Sequence, residues 1–280
     1  MAADGDSTQA PDPTAKALLA VPAVAWSTIA LAVTTLAVWV AALASIALNL
    51  LPLPASMAIA TVAAYVSFTP MHDASHRSVA RSSLVNAIVG RACALPLLAL
   101  FSAFRYLHLE HHKFTNEPDR DPDHWVARGP TWQHPLRWLT MELPYLLTYR
   151  RRTKVASRGE RLEMAISSLL STSLLVAPLF FGHWRAVLFG WVIPAKIAGV
   201  FLAYAFDYLP HRPHTITSRV DRFRATIVHS AAWRTPILLW QNYHLIHHLY
   251  PAVPFYRYGR VWRAQREMLL ANGAVDRSRP

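Results

Sequence analysis

The chain has 280 residues, 53% of them hydrophobic, with a mean hydropathy of +0.20, 28 Lys and Arg against 16 Asp and Glu, and a net charge of +12. Its single cysteine, Cys93, excludes an intramolecular disulfide and a thiolate-held iron–sulfur cluster. The positive excess does not indicate nucleic acid: no nucleic-acid module is present, and the basic residues flank apolar runs, where anionic lipid headgroups are the natural partner.

Residues 1–16, rich in Ala, Asp, Thr and Pro, are expected to form a disordered tail without the basic n-region of a signal peptide. Residues 17–270 form one membrane-embedded domain, and 271–280 a loose C-terminal tail. Ala17–Leu50 is almost uncharged and longer than the ~20 residues a spanning helix needs, which places a first span at about Val24–Leu48. Leu51-Pro-Leu-Pro54 turns the chain into a second run, Ala55–Pro70. Leu84–Phe104 is apolar enough to cross, but Gly90, Arg91 and Pro96 interrupt it, so a re-entrant or interfacial helix is expected. Leu162–Phe181 and Ala186–Phe206 give the third and fourth spans, joined by Gly182-His-Trp-Arg185. Pro178 and Pro194 inside them are tolerable where neighbouring helices satisfy freed carbonyls. The fold class is therefore all-α: a polytopic membrane protein with four transmembrane helices.

Arg77 and Arg81 follow the second run, and Arg150, Arg151, Arg152, Lys154, Arg158 and Arg161 precede the third, while the two opposite connections carry one Arg between them. The positive-inside rule then puts the basic loops and both termini in the cytoplasm. Three histidine clusters fall on that same side: His72-Asp-Ala-Ser-His76, His108-Leu-Glu-His111-His112 and His244-Leu-Ile-His247-His248. Residues three and four apart share a helix face, so each cluster can aim its imidazoles at one point. Eight imidazoles exceed what one ion accepts, so a cytoplasmic helical cap holding a histidine-rich di-metal site is expected. Zinc has no redox chemistry, and a hydrolase needs few ligands and an open position. A redox-active pair beside a membrane suggests oxygen activation against an unactivated C–H bond of a lipid; the residues alone do not fix the metal. A histidine-rich metal-binding protein or transporter is the non-enzyme alternative. It would want ionisable groups at bilayer depth, where only Lys196 lies.

The boxes, in this order and with spans between the second and third, resemble those of the membrane fatty-acid desaturase and hydroxylase superfamily. Their flanks narrow the likeness. His72-Asp-Ala-Ser-His-Arg-Ser78, Asn116-Glu-Pro-Asp-Arg-Asp-Pro-Asp-His124, Phe206-Asp-Tyr-Leu-Pro-His-Arg-Pro213 and Gln241-Asn-Tyr-His-Leu-Ile-His-His-Leu-Tyr-Pro251 resemble the desaturase-like β-carotene hydroxylases. The Leu-Pro-His-Arg-Pro element and the Tyr-Pro-x-x-Pro tail also resemble the β-carotene ketolases. The similarity runs from roughly Val66 to Arg260.

This resemblance implies two non-haem iron ions, O2 as co-substrate, and electrons from ferredoxin or a similar carrier. By the same resemblance His72, His76, His108, His111, His112, His244, His247 and His248 match metal ligands, and His211 stands where related desaturases place a ninth. Asp207, four residues before His211 and so on the same helix face, stands where they place an Asn that reaches a metal through water, and is the catalytic candidate, acting through water or ligating directly. His214 falls outside the match. Asp73 is expected to orient an imidazole or to cap a helix, Glu110 to face solvent or an ion pair, and Asn242 to support a ligand or make an ordinary structural bond. Asn116, Asp119, Asp121 and Asp123 read as turn residues, with Asn116 and Asp123 raised by the resemblance to possible supports of the ligands. The function implied is hydroxylation of the β-ionone ring of a carotenoid substrate, β-carotene to zeaxanthin via β-cryptoxanthin. The alternatives are 4-ketolation of that ring and acyl-lipid desaturation.

Overall fold

A computed structural model describes residues 13–153 and 157–278. Four helices in it are long and apolar enough to cross a membrane: Trp26–Leu48, Leu53–Ser75, Arg158–Phe180 and Trp184–His211. The first two pack through small residues, Ala32, Ala42, Ala60, Ala63 and Ala64 all being buried, and the Ser45 and Ser56 hydroxyls meet at 2.9 Å. Close backbone approach and polar side-chain links are how helices associate where lipid removes the hydrophobic drive. The third span buries none of its residues and presents its apolar side chains to lipid. It opens with a capping box in which Ser157 Oγ accepts from Glu160 N–H and Glu160 Oε2 accepts from Ser157 N–H at 2.7 Å.

The fourth span is one 28-residue helix with two π-helical stretches, Leu188–Val192 and Ala203–Tyr208. Such bulges often sit at functional sites. The second and fourth spans both run toward the same end of the molecule, one finishing at Ser75 and the other at His211. That shared direction brings the histidines together.

The interrupted segment is bent. Ser83–Leu97 and Phe101–Phe114 meet at 98°, with the break at Leu98, whose φ of 53° lies in the left-handed region. The Phe101 ring lies against Gly90 so closely that a Cβ there would overlap it. The interrupted element is thus a pair of helices meeting at about a right angle, and its second arm carries the second histidine box. A single straight span through Leu84–Phe104 is absent.

Both expected tails need restating. Residues 1–12 lie outside the described residues, and from Pro13 the chain is helical over Pro13–Leu19, where Arg257 donates to the Leu18 and Ala20 carbonyls. The 271–280 segment is not loose where it is described. Val275–Asp276 pairs in parallel with Ile227–Val228, Arg277 N–H donates to Val228 O at 2.8 Å, and buried Leu269 and Ala274 anchor the turn before it.

Candidate metal centre

Nine histidine Nε2 atoms converge at the cap end of the second and fourth spans. His72 comes from the last turn of the second span and His76 from its C-cap. His108, His111 and His112 lie on one side of Phe101–Phe114, His211 ends the fourth span, and His244, His247 and His248 lie on the short helix His244–Leu249. They form two sets of four, His72, His76, His108 and His247, and His111, His211, His244 and His248. His112 stands at the seam, its Nε2 2.7 Å from that of His247 and 3.2 Å from that of His108.

Neighbouring Nε2 atoms within the sets are 2.8–3.3 Å apart: 3.0 Å for His72–His247, 2.8 Å for His76–His108, 3.0 Å for both His211–His244 and His244–His248, and 3.3 Å for His111–His248. Nitrogens bound to one ion at about 2.1 Å stand roughly 3.0 Å apart in octahedral and 3.4 Å apart in tetrahedral geometry. The spacings are those of donors around an ion, and the donor set suits a late first-row metal. Burial pushes the pKa of His76, His108, His112, His244, His247 and His248 well down, which keeps them in the neutral, ligating form.

Other groups fix which nitrogen points inward. Gln241 Oε1 lies 3.2 Å from His244 Nδ1, and the Tyr258 hydroxyl lies 3.0 Å from His247 Nδ1. Asp121 Oδ1 accepts from His111 Nδ1 at 2.8 Å, with Asp123 Oδ2 at 3.3 Å. Burial alone would lower the His111 pKa, but these two carboxylates hold it up at about 9. A carboxylate on the outer nitrogen sets the tautomer and raises ligand basicity, and its removal typically costs 10–100-fold in metal affinity. Asp121→Asn should therefore weaken binding of the metal at the His111 set by about tenfold or more, measured by chelator competition.

Asp121, Gln241 and Tyr258 were not singled out as supports by the sequence. Asp121 does make the expected turn, accepting from Asn116 N–H and Asp123 N–H, but its other role is to hold His111. Asp73 neither orients an imidazole nor caps the helix. Fully buried, it accepts from Thr28 Oγ1 at 2.9 Å and from Phe255 N–H at 3.2 Å, tying two spans to the cap. Asn116 donates to the Ile216 and Ala225 carbonyls, and Asn242 to His229 O and Thr235 Oγ1, so both are structural. Glu110 pairs with Lys113 at 3.8 Å, off the histidine face. His214 stays outside the two sets, its ring centre 6.2 Å from that of His211.

Asp207 lines an apolar cavity of about 420 Å³, together with Asp123, His72, His108, His111 and His244. Tyr145 O–H donates to Asp123 at this end, where burial pushes the Asp123 carboxyl up to about 6. The remaining wall includes Phe68, Phe104, Trp138, Met141, Leu202 and Phe206. It follows the fourth span from Asp207 down to Ala195, twelve residues or about 18 Å at 1.5 Å per residue.

Near the far end, Lys196 Nζ pairs with Glu142 of the cavity wall at 2.7 Å and donates to Leu139 O at 3.3 Å. Lys196 is thus a tether between the fourth span and the segment that covers the cavity. Lys196→Met should cost about 1 kcal/mol, less than a fully buried pair, because the two side chains are 47% and 62% exposed. The double variant with Glu142→Leu should recover much of that loss in a thermal melt.

Four spans topped by a cap that gathers nine imidazoles define a histidine-box membrane protein. The fatty acid desaturase family model matches residues 48–280, and the chain belongs to that family, whose members are oxygenase and desaturase enzymes of the di-iron type. Its relatives include an sn-1 oleoyl-lipid 12-desaturase of Anabaena variabilis, 28% identical over 66% of this chain and 47% of that protein. A dihydrorhizobitoxine desaturase of Bradyrhizobium elkanii is 25% identical over 67% of this chain and 60% of that protein. A beta-carotene ketolase of Paracoccus sp. (strain PC1) is 29% identical over 69% of this chain and 72% of that protein. The chain spans about half the length of the Anabaena desaturase and under two thirds of the Bradyrhizobium one.

Proposed function

We propose that the protein is a di-iron, O2-dependent hydroxylase of the β-ionone ring of carotenoids. The observation that carries this reading is that four of the nine clustered histidines, His72, His108, His111 and His244, line the end of a mainly apolar cavity that runs along the fourth span. His72, His76, His108 and His247 would hold one iron, His111, His211, His244 and His248 the other, with His112 at the seam. When bound, the iron pair supplies the redox chemistry that lets O2 react with an unactivated C–H bond.

The chain's own residues do the rest. Phe68, Phe104, Trp138 and Phe206 give a long apolar molecule surfaces to lie against and exclude water around the reacting carbon. Asp207 and Asp123 place carboxyl groups where protons must arrive. The overall change, R–H + O2 + 2e− + 2H+ → R–OH + H2O, draws its electrons from ferredoxin or a comparable carrier. The basic loops on the cap side orient that side, and both termini, toward the cytoplasm.

Two other outcomes have specific support. Ring 4-ketolation is supported by the ketolase relative, which this chain covers over 72% of its length. Acyl-lipid desaturation is supported by the 12-desaturase relatives. Expression in a β-carotene-producing host, followed by pigment chromatography and mass spectrometry, separates the three. Hydroxylation adds one oxygen per ring. Ketolation adds one oxygen and removes two hydrogens. Unchanged pigment with acyl chains lacking two hydrogens would overturn the carotenoid reading.

A further inference from the structure

A second cavity, of about 550 Å³, lies away from the metal centre between the bent helix pair and the start of the third span. Arg77, Arg91, Arg105, Ser102, Glu160 and Glu163 supply its polar wall. Both acids are engaged: Glu163 by Arg91, and Glu160 by Ser157 N–H of the capping box. Arg105 uses its Nε on Ser75 O at 3.0 Å. No carboxylate among the described residues lies within ion-pairing distance of Arg77, and the buried Ser102 hydroxyl has no hydrogen-bond partner. Arg77, the guanidinium N–H groups that Arg105 does not spend on Ser75 O, and the unpaired Ser102 hydroxyl line one cavity as donors.

A separate space borders the same helix further along, and shares Leu98, Ala99 and Leu100 with the cavity at the metal centre. This space, of about 280 Å³, is lined by Ser168, Ser171, Thr172 and Leu175 of the third span, facing Leu100 and Trp191. With Glu160, Glu163 and Met164 of the charged cavity, these residues recur every three or four positions, so one helical face borders both spaces. From Glu160 to Leu175 is fifteen residues, about 22 Å. The third span buries no residue, so this face meets the body mainly across the groove. A charged end and, along the same helix face, a narrow space whose apolar wall is Leu95, Leu98, Leu100, Leu175 and Trp191 match one kind of molecule.

We propose that this groove binds an anionic phospholipid, its phosphodiester on Arg77, Arg105 and Ser102 and an acyl chain along Ser168–Leu175. Arg recognises phosphate oxygens through its planar fork of N–H donors. The preference for an anionic headgroup follows from the charge balance of the wall, where Arg77, Arg91 and Arg105 face two carboxylates, Glu160 and Glu163. The charged cavity and the cavity at the metal centre lie on different sides of Phe101–Phe114, sharing only Tyr149, so the lipid is a structural ligand that seats the third span. The inference rests on the membrane architecture and not on the carotenoid reading.

The test is a thermal melt of the full chain in detergent, titrated separately with short-chain phosphatidylglycerol, phosphatidylcholine of equal chain length, and inorganic phosphate. Phosphatidylglycerol should raise Tm by about 5 °C at saturation. Phosphatidylcholine should need at least about tenfold more, and phosphate should leave Tm unchanged. Arg77→Gln should weaken the phosphatidylglycerol response about tenfold, the loss expected when a charge-assisted contact goes. Arg263→Gln, on the exposed face of Tyr258–Ala271, should behave as the parent protein. Should Arg77→Gln not fold, Ser171→Trp, which fills the acyl part of the groove, should abolish the response. Equal response to both lipids, a phosphate response matching that to the lipid, or an undiminished response in Arg77→Gln and Ser171→Trp would overturn the assignment.

Discussion

His247→Ala should reduce product formation more than about 100-fold, beyond the 10–100-fold that loss of a supporting group costs a metal site. His247 is the histidine common to the groups His72–His76–His108–His247 and His112–His247–His248, so its loss opens one set and detaches the seam. Metal analysis of the purified variant should fall from two irons per chain to about one. Membrane insertion should be unchanged, because the spans depend on apolar length and internally satisfied backbone rather than on the cap. His183→Ala is the matched control. That side chain is exposed in the short turn between the third and fourth spans, at the end opposite the metal centre. Equal losses at His183 and His247, or one tightly bound zinc with no redox-active metal in the parent protein, would defeat the oxygenase reading.

The histidine boxes and spans were legible because their signals are local. An i, i+3, i+4 pattern survives folding unchanged, and a run of about twenty apolar residues has few structures open to it. The bend at Leu98 was half legible: Gly90 and Pro96 marked an interruption, but the 98° turn depends on the Phe101 ring packing onto Gly90. Gln241 carried a usable sign, standing three residues before His244 on one face. Tyr258 carried none, since it reaches His247 across the Pro251–Pro254 turn and a new helix. Asp121 was legible as a turn residue only, because the same carboxylate does both jobs. The parallel pairing of Val275–Asp276 with Ile227–Val228 joins positions 48 apart through two residues each, too short a run to show a period.

The i, i+4 argument for Asp207 and His211 met a different backbone. Ala203–Tyr208 is π-helical and Leu209–His211 is 3-10, so the two side chains divide the labour. His211 Nε2 closes on His244 at 3.0 Å, while Asp207 lines the apolar cavity beside Asp123. His211→Ala should therefore be as damaging as a box substitution and should lower metal content, since it removes one of only four imidazoles in its set. Asp207→Asn should be milder, about 10-fold in turnover, with metal content kept, because an amide oxygen still holds a water or a donor at the cavity end. Asp207→Leu should cost about 100-fold or more, since no polar atom remains where protons must arrive. Pigment yields at matched expression, read beside iron content, test the order. Full activity in His211→Ala would reduce the centre to eight histidines, and a loss of iron in Asp207→Asn equal to that in His211→Ala would make Asp207 a ligand rather than a group of the cavity wall.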